Sequence, residues 1–98
     1  MEFLVEFEVN IPNLTPDSEV KDREAAEASA AARLVDQGHL VRLWKLPEVS
    51  SDKIIGLYRA DNRSQLESLL GALPLYEWMR VTVTALAPHP NDPGRSEP

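Results

Sequence analysis

Residues 3–11 alternate, with Phe3, Val5, Phe7, Val9 and Ile11 on one side and Leu4, Glu6, Glu8 and Asn10 on the other. A period of two with carboxylates on the outer side predicts a half-buried antiparallel strand, and Pro12 ends it. The alanine-rich residues 16–37 predict a helix: Thr15 is placed to cap it, Pro16 opens its first turn, acids fall early and Gly38 stops it. Residues 40–46 predict a short apolar and cationic strand, 47–52 a loop, and 54–59 another short strand. A second helix, capped by Asn62 or Ser64, runs to about Ala72 with Leu66, Leu69 and Leu70 inward, and Pro74 closes it. Residues 76–86 predict a last strand, with Thr82 and Thr84 alternating against Val81, Val83 and Ala85. Beyond Pro88 the chain turns to Pro, Asn, Asp, Gly and Ser, which sets the domain at 1–90 and a flexible tail at 91–98.

Strand, helix, strand, strand, helix, strand is the split βαβ order. It predicts an α+β, ferredoxin-like βαββαβ domain: a four-stranded antiparallel sheet with two helices on one face. The other sheet face is left open and calls for a partner. Ninety-eight residues support one modest core, so self-association is expected to complete it.

Composition removes several chemistries. A net charge of −6 argues against nucleic acid and anionic membrane, both of which bind clustered Lys and Arg. With no cysteine there is no disulfide, thiolate nucleophile or ordinary structural zinc site. The sequence shows no basic region leading into an apolar run and no stretch of membrane-spanning length, which makes the cytoplasm the expected location. Gly-rich phosphate loops, nucleophile elbows and metal-spaced histidines are missing as well.

Two features break the pattern. On a helical net Val20, Glu24, Glu27, Ala31 and Leu34 share the stripe expected to face the sheet, with two carboxylates at its centre. Burying them is costly without donors or a cation, and such a group is suited to be a general base. The alternative is a stripe turned toward Ala25, Ala28 and Ala32, with both glutamates at a solvated edge. The second feature is Arg42-Leu43-Trp44-Lys45, where alternation puts Arg42 and Trp44 on one face. Arg42 could clamp a carboxylate with its fork, or could sit on the open face at a subunit contact. His39, Tyr58, Trp78 and His89 are readable as pocket walls or as ordinary surface and core residues.

The run 38–45, Gly-His-Leu-Val-Arg-Leu-Trp-Lys, the later Leu-Pro-Leu-Tyr-Glu-Trp-Met at 73–79 and the closing His89-Pro90 resemble the muconolactone delta-isomerase family, which includes chloromuconolactone dehalogenases. The opening strand and the position of Glu27 belong to the same resemblance, which spans residues 1 to about 91. It implies dimeric α/β-barrel subunits assembled into larger rings, decamers in the family's enzymes. It also implies the 3-oxoadipate pathway of aromatic hydrocarbon catabolism, where the double bond of muconolactone is shifted to give 3-oxoadipate enol-lactone without cofactor or metal. By that resemblance Glu27 is the base, and the reaction's need for a cation or donor makes Arg42 the candidate carboxylate or oxyanion partner. Glu24 is a possible modulator, and His39, Tyr58, Trp78 and His89 are candidates for substrate binding. The chain departs from the family at Val41-Arg42, Lys45, Ala87 and the 47–53 loop. A lyase, dehalogenase or cyclase on a related small molecule, or a non-catalytic ligand-binding oligomer, are therefore the other readings.

Overall fold

The computed structural model describes residues 1–47 and 53–94. Its elements are β1 (Glu2–Val9), α1 (Asp17–Asp36), β2 (Leu40–Lys45), β3 (Lys53–Arg59), α2 (Arg63–Gly71), a 3-10 turn (Tyr76–Trp78) and β4 (Met79–Leu86). The strands form one sheet in the order β2-β3-β1-β4, every neighbour antiparallel. This is the ferredoxin-like α+β arrangement.

The period of two in β1 is reproduced in burial. Phe3, Val5 and Phe7 are buried, while Leu4, Glu6 and Glu8 lie on the other face. Register sets Glu2 opposite Arg59 and Glu8 opposite Lys53, and both pairs make ion pairs, at 2.9 Å and 3.8 Å. The core draws Ala30 and Leu34 from α1, Leu66 and Leu70 from α2, and Tyr58 and Leu40 from the sheet.

The stop of α1 and the start of α2 are both chemical. Gly38, at φ +78°, reverses the chain after α1. Its N–H reaches Val35 O at 3.0 Å and the His39 N–H reaches Leu34 O at 2.9 Å, a Schellman pair that satisfies the last carbonyls. At the start of α2 the Asn62 side chain accepts from Gln65 N–H at 2.8 Å, so Asn62 rather than Ser64 is the cap.

Three expectations are corrected. Pro16, not Thr15, occupies the cap position of α1, because the Thr15 hydroxyl donates instead to Pro12 O at 2.6 Å. Residues 76–78 coil into a 3-10 turn before β4, with Trp78 N–H on Leu75 O at 2.9 Å. The inward stripe of α1 keeps Val20, Glu27, Ala31 and Leu34 and widens to take in Arg23 and Ala30, leaving Glu24 exposed at its edge. The 47–52 loop and the 91–98 tail fall partly outside the described residues. Within 91–94, Gly94 N–H closes a turn on Asp92 Oδ1.

The helices cover the sheet unequally. At about 1.5 Å per residue, the twenty residues of α1 run roughly 30 Å and the nine of α2 only about 13 Å. The end of the sheet carrying Phe7, Val9 and Met79 is therefore roofed by α1 and residues 73–75, leaving space beneath it.

Candidate functional site

That space is a cavity of about 310 Å³ between α1 and the sheet. Its floor is Phe7, Val9, Ile54, Tyr58 and Met79, with Leu43 and Leu40 at the β2 side. Its roof is α1, from Glu24 to Leu34, and its end wall is Leu73 and Leu75. The lining is mostly apolar, and among the described residues its charged members are Glu24 and Glu27.

Glu27 is half-buried, and its Oε1 accepts the Leu75 backbone N–H at 3.0 Å. Among the described residues nothing donates to its other oxygen, Oε2, so one carboxylate oxygen is fixed and the other is open to a ligand. Glu24 is exposed at the rim.

Tyr58 lies in the floor with only 3% of its surface exposed, its ring 6.0 Å from that of Phe7. Burial, and after it the neighbouring Glu27 carboxylate, push the Tyr58 phenol up to about 12. It is a neutral donor at any ordinary pH. An acid raised in the folded state stabilises the protein below its unfolded value of 10.0, and that contribution is lost as pH climbs to about 12. Urea unfolding across this window is expected to show a fall of about 3 kcal/mol that is absent from Tyr58→Phe. Equal pH slopes in the two proteins would contradict the placement of Tyr58.

The structure separates the remaining candidates from the cavity. A bulge at Val41 shifts the β2–β3 register between Leu40 and Arg42. Leu40 and Leu43 consequently face α1, while Arg42, opposite Leu57, is on the open face. There its guanidinium lies 5.1 Å from the Trp44 ring, on the other side of the sheet from Glu27. His39 is held at the sheet edge, its Nδ1 2.8 Å from Arg59 O. Trp78 is buried under the Arg23 guanidinium rather than lining the cavity. His89 is exposed beyond β4, its Nδ1 accepting Asn91 N–H at 3.0 Å. Of the seven candidates, Glu24, Glu27 and Tyr58 converge, and His39, Arg42, Trp78 and His89 do not.

Sequence reasoning missed three contributors. The Leu75 N–H leaves no trace in side-chain patterns. Arg23 reads as an ordinary helix-surface cation. Gly56 did carry a signal, since an isolated glycine within a strand marks a close approach. A Cβ there would lie 2.5 Å from Tyr58 Cε1 and 3.2 Å from Leu43 Cδ1.

An apolar cavity under a ferredoxin-like sheet, with one carboxylate oxygen fixed and the other free, defines a small-molecule site built for proton transfer. A family model described as muconolactone delta-isomerase matches residues 1–92, and the chain belongs to that family. It is 31% identical over 91 residues to the Muconolactone Delta-isomerase of Cupriavidus pinatubonensis, covering 93% of this chain and 97% of the relative. It is also 28% identical over 91 residues to that of Acinetobacter baylyi, covering 93% of each. A crystal structure of muconolactone isomerase superposes with a TM-score of 0.85 over 100% of both chains at 23% identity. The 5-chloro-2-hydroxyhydroquinone dehydrochlorinase of Burkholderia phenoliruptrix shares the fold more distantly, with a TM-score of 0.65 at 13% identity, over 89% of this chain and 94% of that one.

Proposed function

We propose that the chain isomerises muconolactone to 3-oxoadipate enol-lactone by proton transfer, with Glu27 as the base. The observation that carries this is the Glu27 carboxylate itself, half-buried in an apolar cavity with Oε1 held by the Leu75 N–H. The shared family and the names of the curated relatives support the substrate.

The chemistry needs one base and one donor. Glu27 Oε2 removes the proton from the ring carbon that bears the acetate arm. The electron pair moves through the double bond into the lactone carbonyl and forms a dienolate. The same carboxyl group then returns a proton to the carbon next to the carbonyl, so the double bond has shifted and no atom is gained or lost. Tyr58, neutral up to about pH 12, is the donor available for the developing oxyanion.

Among the described residues, those lining the cavity include no cation for the acetate arm. The open face bears Arg42 beside Trp44, which is 39% exposed, and the apolar Leu4, Ile55 and Leu57. We infer that a second copy covers this face, making the protein at least a dimer and, in the family's manner, a larger ring. Arg42 then serves its clamp role from a neighbouring copy. The proposed setting is aromatic catabolism in the cytoplasm, where the 3-oxoadipate pathway runs. No helix among the described residues is long and apolar enough to cross a membrane.

Purified protein with muconolactone is expected to accumulate enol-lactone, and with chloromuconolactone to isomerise without releasing stoichiometric chloride. Chloride release as the main reaction would replace the isomerase with a dehalogenase. Sedimentation of an 11.0 kDa species alone would remove the second copy.

A further inference from the structure

Arg23 lies one helical turn before Glu27 on the inward stripe of α1, outside the cavity, and is tied to the segment that supplies the Glu27 donor. Its Nη1 donates to Pro74 O at 3.3 Å and forms an ion pair with Glu77. The guanidinium carbon stands 4.3 Å from the ring centre of the buried Trp78. A further pairing with Glu19, at 3.7 Å, anchors it to its own helix. These contacts span residues 74–78, and Leu75 lies among them with its N–H on Glu27 Oε1. The far end of the segment is fastened to β1 through Asn10 N–H on Trp78 O at 2.6 Å.

We propose that Arg23 is a positioning residue for the reaction: by docking residues 74–78 on α1 it holds the Leu75 N–H against Glu27, fixing Oε1 and leaving Oε2 free for proton transfer. Arg suits this work better than Lys, because one planar group meets a carbonyl, a carboxylate and an indole face together. With an apolar residue at 23 the segment loses a hydrogen bond, an ion pair and a stacked cation at once. The carboxylate then samples orientations in which neither oxygen faces the substrate. Such loss of alignment costs turnover rather than substrate affinity, since the base must be aligned in the transition state.

The inference rests on Glu27 as the base, and the experiment keeps the two apart. Steady-state kinetics with muconolactone and amide hydrogen exchange are measured on wild type, Arg23→Met, Arg23→Lys and Glu27→Gln. Arg23→Met is expected to lower kcat about 10- to 100-fold with KM changed less than about threefold. Exchange at the Leu75 amide should accelerate at least about tenfold while core amides of β1 stay protected. Arg23→Lys should recover kcat to within about tenfold of wild type by keeping the charge opposite Glu77. A dead Glu27→Gln beside an Arg23→Met with wild-type kcat and Leu75 exchange would overturn the positioning role alone. An active Glu27→Gln would overturn the base assignment instead. If Arg23→Met does not fold, Glu77→Gln removes the ion pair on the exposed side and carries the test. Faster Leu75 exchange with lower kcat then supports the role, and no change in either overturns it.

Discussion

Glu27→Gln is expected to fold and keep the cavity while losing about two to four orders of magnitude in kcat/KM, the usual contribution of a positioned general base. The substitution is nearly isosteric, and the amide oxygen of Gln can still accept the Leu75 N–H that Glu27 Oε1 accepts at 3.0 Å. What disappears is the basic second oxygen, the group the reaction needs. Circular dichroism and urea unfolding should match wild type closely, because Glu27 is half-buried and joins no ion pair among the described residues. Turnover near the wild-type rate would take Glu27 out of the mechanism. Loss of folding would show instead that the Glu27 carboxylate is structural.

Gly56→Ala should be damaging for a steric reason. In β3 the glycine has no positive φ to lose, so an added methyl group acts through contact alone. Its Cβ would meet Tyr58 Cε1 at 2.5 Å, Tyr58 Cδ1 at 3.2 Å and Leu43 Cδ1 at 3.2 Å. Tyr58 cannot retreat into the core, where it is 3% exposed, so the ring moves toward the cavity. Overpacking of this kind costs about 1–3 kcal/mol of stability. The misplaced phenol should lower kcat roughly tenfold or more. Gly71→Ala is the control, since nothing stands within 4 Å of a Cβ there and the residue ends α2, where Ala is the better helix former. A Gly56→Ala protein with wild-type stability and turnover would contradict the packing of Tyr58 over Gly56.

The backbone order was legible because each element carries a local signal. The alternation from Phe3 to Val9, the alanine-rich run before Gly38 and the Asn62 cap each report one physical cause, and the observed elements match the expected ones to within a few residues. Misreadings arose where local signals compete. Thr15 can cap a helix or bond its own loop, and it bonds Pro12 O. The inward stripe of α1 holds Arg23 beside Glu27 because Trp78 and Glu77 receive the guanidinium, and a helical net knows nothing of that distant segment. The same limit applies to the site. Glu27 stood out as a carboxylate where apolar residues were expected, whereas its donor is a backbone N–H from residue 75 that no side-chain pattern encodes. Of the two places left open for Arg42, the structure takes the open face, and the bulge at Val41 that accompanies this is invisible to strict alternation.

The most direct test is the reaction of muconolactone in deuterium oxide, followed by proton NMR. Wild-type protein is expected to form enol-lactone, with deuterium at the carbon next to the carbonyl only to the extent that the Glu27 carboxyl exchanges with solvent before it returns the proton, and Glu27→Gln is expected to do neither at a comparable rate. Wild-type protein that neither converts the lactone nor exchanges its ring proton, or a Glu27→Gln protein that does both at the wild-type rate, would contradict it.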